Sequence, residues 1–457
     1  MSREKTSTVR WSSRLSYVLA ATGAAVGLGN IWKFPYIMGE NGGGAFVLVY
    51  LACILLIGIP IMMGEVMIGK FGRQTPARSA RLLADASGAR KGWSAVGWFG
   101  VLTGFLILSF YVVIAGWALA YTYYGFIGSF SGQDADQIAA LFSDLNSEPS
   151  RLMGWSFLLL AATVLVVGNG VRDGLERAVN GMMPVLFVLL VIMVIYAYQR
   201  GNFEEAYQFM FNADFSKLSW KGVLVALGHS FFTLSLASGI MTMYGAYLPD
   251  GTSLVKTSLW IAFMDTLVAI LAGLAIYPIV FGNGLEPGAG PGLIFMTLPI
   301  AFGEMPFGQL FGGLFFLMLV VAAFTSALAL IESSVAWLVE RHGFGRMKAA
   351  LLAGGAIWVV SQLTIFSLTG ASWAEFQLGS KTVTLFDGID YLTSSIMLPL
   401  GGLMIALFVG RVVTRDISVR TLATSPLVYK VWRLCVRYIA PVAVVLVFLQ
   451  QLGLFSL

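Results

Sequence analysis

Charge is scarce in this chain. Only 11% of its 457 residues are Asp, Glu, Lys or Arg, while 58% are hydrophobic; soluble proteins carry about 25% charged residues. So little charge excludes a water-soluble globule of this length. Cysteine is nearly absent, and both copies, Cys53 and Cys435, lie in apolar sequence. That excludes a disulfide framework and a cysteine metal site. His229 and His342 are the only histidines, too few for a His-based zinc centre. There are no paired acids, Glu-x-x-His motif, charged ring or repeated filter loop, which argues against an intramembrane enzyme and against a channel. Long polar stretches are missing too, so no soluble domain fits between the apolar runs.

What is present is a succession of apolar runs of about 20 residues, each long enough to span about 30 Å of hydrocarbon. Eleven can be drawn: 14–38, 43–70, 96–127, 152–168, 176–199, 221–247, 255–282, 308–340, 348–368, 388–411 and 436–455. The expectation is an all-α integral membrane protein, with a cytoplasmic segment 1–13 and a single transmembrane domain 14–457. The basic N-terminus runs into a full-length span without a small-residue cleavage site, so no signal peptide is expected. Nearly all Lys and Arg fall on the side of the N-terminus. The exceptions are Arg151, Arg200, Lys217, Lys221 and Lys381, plus Lys33 inside the first span. The positive-inside rule then places the N-terminus in the cytoplasm, and an odd span count places the C-terminus outside. The cations follow topology and form no patch, so nucleic acid is not an expected partner; membrane lipid is.

The first span is peculiar. Gly23, Gly27 and Gly29 fall where hydrocarbon should be, beside Asn30 and Lys33. Each glycine costs a helix interior roughly 1 kcal/mol. Small residues also allow close helix packing, but packing does not explain Asn30 and Lys33. Backbone leaves the helix inside a membrane only where it lines a polar cavity, and an intramembrane ionisable group marks a functional site by default. The sixth span is interrupted in the same way by Gly228, Ser230, Thr233, Ser235, Ser238 and Gly239. Spans one and six open two successive groups of five. Breaks at matching positions of two halves point to a transporter built on inverted repeats. Between spans, 128–151 reads as a long acidic outer loop. The stretch 283–305 reads as a re-entrant or capping hairpin over an outer vestibule, because Ile294, Phe295, Met296 and Leu298 have no use in a solvent loop.

Several motifs in order are specific. Ala25-Val-Gly-Leu-Gly-Asn-Ile-Trp-Lys-Phe-Pro-Tyr36, Glu40-Asn-Gly-Gly-Gly-Ala-Phe46, Gly58-Ile-Pro-Ile-Met-Met-Gly-Glu65, Phe231-Phe-Thr-Leu-Ser235, Ala323-Phe-Thr-Ser326 and Phe386-Asp-Gly-Ile-Asp-Tyr-Leu-Thr393 resemble the neurotransmitter:sodium symporter family over essentially the whole chain. Short loops and eleven spans resemble its bacterial branch, whose members mostly carry amino acids across the cytoplasmic (inner) membrane. The resemblance implies the LeuT-type fold: two inverted five-helix repeats, spans 1–5 and 6–10, with spans 1 and 6 broken.

It also implies residue roles. Two sodium ions and no organic cofactor are expected. The first ion would use the Ala25 carbonyl, Asn30, Thr233, Asp265 and the carboxylate of the substrate. The second would use the carbonyls of Gly23, Val26 and Ala322 with the hydroxyls of Thr325 and Ser326. The substrate carboxylate would meet amides at Leu28 and Gly29, at the positive end of a half-helix, and the Tyr111 hydroxyl. Its ammonium would meet carbonyls of Ala25, Phe232, Thr233 and Ser235. Tyr111 and Phe232 would form a lid. The side-chain pocket would be lined by Ala24, Ile107, Tyr111, Ser235, Ser238, Ser326 and Leu330, mostly apolar and without charge, suited to a neutral amino acid. Gly27 stands where monoamine carriers of the family have aspartate, which leaves room for a substrate carboxylate. Ser238 stands where relatives often have a large side chain. The added volume favours a hydrophobic or aromatic substrate, whereas a small polar amino acid or other small zwitterion would use the hydroxyl.

Lys33 and Asp390 would close an outer gate, lysine acting as a point charge where relatives have arginine. Trp11, Tyr247 and Glu340 would belong to an inner gate. The basic residue expected three before Trp11 is Thr8, with Arg10 as its substitute. Glu65 would brace the broken helices. Gly174 and Pro184 would let the fifth span unwind. Chloride-dependent relatives bind that anion at positions equivalent to Tyr50, His229, Thr233, Asp265 and Ala269. Here Asp265 would supply the negative charge itself and, together with His229, take a proton for the return step.

Overall fold

The computed structural model describes residues 9–287, 292–378 and 381–451. Thr8 and the rest of 1–8, the loop glycines within 288–291, the end of the eleventh expected span at 452–455 and the side chain of Lys381 lie outside the description.

Among the described residues nine helices are long and apolar enough to cross a membrane: Gly44–Gly72, Lys91–Phe126, Pro149–Gly168, Val171–Arg200, Leu254–Gly282, Gly308–His342, Arg346–Leu368, Leu385–Val412 and Pro426–Leu449. A tenth span is a bent pair, Arg14–Ala25 and Gly29–Glu40, with 48° between its halves. Their ends follow ordinary helix chemistry. Ser13 caps the first half by accepting from the Ser16 amide, proline opens Pro149–Gly168, and Gly343 closes Gly308–His342 in the left-handed conformation. The sixth expected span is two shorter helices, Trp220–Thr233 and Ile240–Ala246, joined by irregular backbone over 234–239.

Several expectations need correcting. The stretch 128–151, expected as a loop, is mostly helical: Ala135–Ser147 is opened by a capping box between Asp134 and Gln137. The fold is not purely helical, because Glu375–Leu378 and Lys381–Thr384 pair as an antiparallel hairpin. The last span begins at Pro426, ten residues before the expected 436, since the basic residues Lys430, Arg433 and Arg437 do not interrupt the helix. In the fifth span Val171–Glu176 is a wide helical turn that continues into Arg177–Arg200, with Pro184 inside, so the segment between Gly174 and Pro184 is helical in this conformation. Leu293–Glu304 is a short apolar helix whose Leu293, Ile294, Phe295 and Leu298 are buried, which explains why this connection between spans is so apolar.

Small residues decide how closely the elements approach. A side chain at Gly100 would meet the Gly239 amide at 2.8 Å, and one at Gly104 the Ser238 carbonyl at 2.6 Å. These two glycines let the third span lie directly against the irregular backbone of the sixth. Gly69 does the same for Ile240–Ala246, since a Cβ there would run into the Thr242 carbonyl and the backbone of Gly245 and Ala246. Gly69→Ala should therefore cost about 1–3 kcal/mol by overpacking. Gly181→Ala, at an exposed helical glycine with open space beside it, should gain roughly 0.5–1 kcal/mol. Thermal unfolding of both variants in detergent checks this; equal melting temperatures would refute the close approach.

Candidate functional site

The first span loses its helix at Val26 and Gly27. Val26 is extended (φ −67°, ψ 113°), and the helix resumes around Leu28. In the sixth span the break covers 234–239, with Ser235 (φ 51°), Ala237 (φ 57°) and Gly239 (φ 77°) left-handed. Non-glycine residues hold such angles only when their surroundings enforce them. Here a buried carboxylate does so: Glu65 accepts from the Ala237 amide at 2.6 Å and from the Thr242 hydroxyl at 3.3 Å. The two breaks are also tied to each other, because the Ser235 hydroxyl donates to the Ala24 carbonyl at 2.8 Å.

Freed carbonyls of the first span meet the eighth. Ser326 Oγ lies 3.4 Å from the Gly23 carbonyl, 3.2 Å from that of Val26 and 3.3 Å from that of Ala322. Thr325 Oγ1 lies 3.0 Å from the Ala322 carbonyl. Five uncharged oxygens from two elements thus converge in one buried place. That donor set suits a hard cation and offers nothing to a soft one.

A second polar cluster lies on the other side of the break. Asn30 Oδ1 accepts from the Gly27 amide (3.0 Å), while its Nδ2 donates to Asp265 Oδ1 (2.8 Å), the Asp265 carbonyl (3.0 Å) and Thr233 Oγ1 (3.1 Å). Thr233 Oγ1 in turn donates to Asp265 Oδ2 at 3.0 Å. Asp265 is fully buried and forms no ion pair among the described residues. His229 does not join it. Its ring lies against Phe34 (5.8 Å), Tyr50 (5.6 Å) and Phe232 (6.5 Å), and neither ring nitrogen has a hydrogen-bond partner. The expected sharing of a proton between Asp265 and His229 is corrected accordingly: aromatic packing, not the carboxylate, holds the imidazole.

Between the breaks lies a cavity of about 30 Å³, roughly the share of one water molecule. Of the residues expected to contact substrate, Ala25, Leu28, Gly29, Ile107, Tyr111, Phe232, Ser235, Ser238, Ser326 and Leu330 line it. Ala24 and Thr233 do not; Ala24 lies one residue back along the chain with its carbonyl on Ser235, and Thr233 faces Asp265. Leu398 joins the lining without having been anticipated, because nothing distinguishes one leucine of an apolar span from its neighbours. The Leu28 amide donates to the Tyr111 hydroxyl at 3.3 Å. A side chain at Gly27 would meet Ser326 Oγ at 2.5 Å and the Tyr111 hydroxyl at 2.8 Å, so a larger residue here displaces one of these two hydroxyls. The Ser238 hydroxyl donates to the Ser235 carbonyl at 2.7 Å.

Phe232 separates this cavity from a larger one of about 440 Å³, which it also lines together with Lys33, His229, Ser394 and Pro399. The Lys33 ammonium sits 4.5 Å above the Phe232 ring and 4.0 Å from Asp390. On the far side, Trp11 is buried (2% exposed) and packs edge-on to Tyr244 and Tyr247 at 5.3 and 6.4 Å. Its amide donates to the Tyr247 carbonyl at 3.1 Å. Tyr247 Oη donates to Glu332 at 2.7 Å, and Glu332 pairs with Arg346. Arg10 and Arg73 both pair with Asp250, while Ser12 binds Glu176. Glu340 stands apart from Trp11 and Tyr247: it accepts from Thr75 at 3.1 Å and faces Arg78 at 3.7 Å. The expected trio of Trp11, Tyr247 and Glu340 is corrected to Trp11 and Tyr247 with Glu332. One signal could have found Glu332, since it is an acid deep within the apolar eighth span. Asp250 lies in an ordinary turn and gives no such signal.

The chain matches the family described as the sodium:neurotransmitter symporter family over residues 8–140 and 148–456. The uncharacterized sodium-dependent transporter YhdH of Bacillus subtilis is 36% identical over 452 residues, covering 98% of each chain. The human sodium- and chloride-dependent GABA transporter 2 is 24% identical over 418 residues, 80% of this chain and 68% of that one. The crystal structure of MhsT in complex with L-phenylalanine superposes with a TM-score of 0.88 at 39% identity, covering 96% of this chain and 99% of the other. The broken spans, the oxygen cluster between them and these likenesses lead to one conclusion: the chain belongs to the sodium:neurotransmitter symporter family, a family of sodium-coupled transporters with the LeuT fold and not of enzymes.

Proposed function

We propose that this protein couples the uptake of neutral amino acids to sodium by alternating access, from eleven spans arranged as two inverted five-helix repeats, with the N-terminus cytoplasmic and the C-terminus outside. The observation that carries the reading is the convergence of the Gly23, Val26 and Ala322 carbonyls with the Thr325 and Ser326 hydroxyls beside a small closed cavity. In this reading sodium enters that cluster, and a second sodium enters between Asn30, Thr233, Asp265 and the Ala25 carbonyl. The Leu28 and Gly29 amides with Tyr111 take the substrate carboxylate. The cavity lining carries no charge, which fits a neutral side chain. MhsT, at 39% identity, binds L-phenylalanine, which supports a large hydrophobic or aromatic substrate. Admitting one requires Phe232, Leu330 or Leu398 to move, because the cavity is far smaller than such a side chain. The Lys33–Asp390 pair serves as the outer gate, and Trp11 with Tyr247 as the inner one.

Chloride is not required in this mechanism, because Asp265 supplies a fixed negative charge beside the first ion. Once the cargo leaves, a charged carboxylate at mid-membrane costs at least roughly 2.5–3.5 kcal/mol, so Asp265 takes a proton for the return step. Uptake into proteoliposomes should be indifferent to replacement of chloride by gluconate and stimulated by an acidic interior. Asp265→Asn should acquire a chloride requirement and lose the proton effect; normal chloride-free transport by that variant would refute the assignment.

The sodium cluster is tested with Thr325→Val combined with Ser326→Ala. Each lost hydroxyl contact is worth roughly 1 kcal/mol, so half-saturation by sodium should rise about tenfold or more in equilibrium amino acid binding. An unchanged sodium dependence in a folded double variant is the outcome that removes the site.

Asp250 anchors Arg10 and Arg73 on the inner side. In a background with Cys53 and Cys435 replaced by alanine, a cysteine introduced at the buried Ser16 should react with a maleimide several-fold faster when Asp250→Asn is added. Equal rates would show that the pair does not hold the inner side closed.

A further inference from the structure

A large cavity among the described residues lies away from the site. It is a groove of about 860 Å³ on the membrane-facing side of the third, eighth and ninth spans, with an almost wholly apolar lining. Trp98, Leu102, Phe105, Trp337, Leu352 and Ala356 form its walls, and Trp98, Leu102 and Leu352 are 44%, 52% and 47% exposed. Its length is informative. The wall from the third span runs from Ser94 to Phe105, which at 1.5 Å per residue is roughly 16 Å. That is about half of a 30 Å hydrocarbon core, the depth of one leaflet.

The groove occupies one end of the molecule. Ser94 is the last residue before the long helix Ala95–Phe126, Leu338 is near the end of Gly308–His342, and Leu352 is in the first turns of Arg346–Leu368. That end is basic. Arg90, Lys91, Arg341 and Lys348 are exposed and flank it, and none of them is in an ion pair among the described residues. The nearby acids are already engaged: Glu340 with Arg78, Asp85 with Arg81, and Glu332 with Arg346. An aromatic row leads from the groove to this rim. Trp98 packs on Trp337 (5.3 Å), Trp337 on His342 (5.6 Å) and His342 on Phe344 (5.3 Å), while the Lys348 ammonium lies 4.5 Å above Phe344. Tryptophan near the polar boundary with cations beyond it is the pattern that anchors protein to lipid headgroups.

We propose that this groove is a binding site for an anionic phospholipid, with one acyl chain lying along Trp98, Leu102 and Phe105 and the phosphate held by Lys91, Arg341 and Lys348. The apolar wall is one acyl chain long, and the uncompensated cations stand at the end where that chain's headgroup would be. Occupancy would fill the space between the third and eighth spans, the two elements that carry Tyr111 and the Thr325–Ser326 pair.

Native mass spectrometry of the full chain in detergent, titrated with phosphatidylglycerol or phosphatidylcholine, tests this. The wild type should retain one phosphatidylglycerol in clear preference to phosphatidylcholine. Each cation near a membrane surface is worth about 1 kcal/mol, or about fivefold, so Lys91→Gln with Arg341→Gln and Lys348→Gln should weaken phosphatidylglycerol retention about a hundredfold and leave phosphatidylcholine unchanged. Ala356→Trp, which fills the exposed groove, should reduce retention of both. Equal retention of the two lipids by the wild type overturns the proposal. So does phosphatidylglycerol retention that survives Ala356→Trp, which would place the lipid on the basic rim alone. If Ala356→Trp converts a dimer into a monomer in light scattering without altering lipid retention, the groove seats a second copy of the chain and the proposal fails.

Discussion

Everything at the centre of this protein follows from one constraint: backbone that leaves a helix inside a membrane must be satisfied by the protein itself. Water is not there to do it, and each unsatisfied amide or carbonyl costs several kcal/mol. Two spans break, and each break brings its own partners. Asn30 takes the Gly27 amide, Ser326 takes the carbonyls of Gly23 and Val26, Glu65 takes the Ala237 amide, and Ser235 returns to the Ala24 carbonyl. The polar residues that look extravagant in an apolar sequence are the ones that make the breaks tolerable. The same groups that satisfy the backbone are the groups a hard cation would use, so structural need and ion coordination coincide at Ser326 and Asn30.

The hydrogen bonds at the breaks also explain how such a site can change state. A serine hydroxyl within 3.5 Å of three carbonyls holds the first and eighth spans together weakly, and a cation in the same place would hold them more tightly. Exchange of one for the other is a small rearrangement with a large energetic consequence, which is what coupling requires. The two ends of the site are held differently. Beyond Phe232 a single ammonium bridges Phe232 and Asp390 at 4.5 and 4.0 Å, a loose contact that a few ångströms of movement breaks. At the opposite end Trp11 is buried under two tyrosines and surrounded by the Arg10–Asp250–Arg73 and Tyr247–Glu332–Arg346 networks. The Trp11 end is the more heavily reinforced of the two.

Much of this was legible in the chain. Low charge and repeated apolar runs determine a helical membrane protein, because no other structure buries so much apolar sequence. The two breaks were legible because glycine, serine and asparagine at mid-depth contradict the hydrocarbon around them. The oxygen set of Gly23, Val26, Ala322, Thr325 and Ser326 came from the resemblance of local motifs, and local motifs survive because each supplies its ligands from within a few residues.

Tertiary structure decided what depends on elements distant in sequence. Glu340 was expected beside Trp11 but faces Thr75 and Arg78, while Glu332, two turns earlier on the same helix, reaches Tyr247; a rotation about the helix axis settles such a choice, and sequence spacing does not specify it. Arg10 finds Asp250 across 240 residues, and no local pattern announces that pairing. His229, placed near Asp265 by position in the motif, lies against three aromatic rings with neither ring nitrogen hydrogen-bonded, a packing that the motif does not specify. The size of the cavity was hidden for the same reason. Ser238 is small, yet Phe232 and Leu398 line the same space from other elements. Composition and motif fix which atoms are available; only the packing of third, sixth, eighth and tenth spans fixes the room left between them.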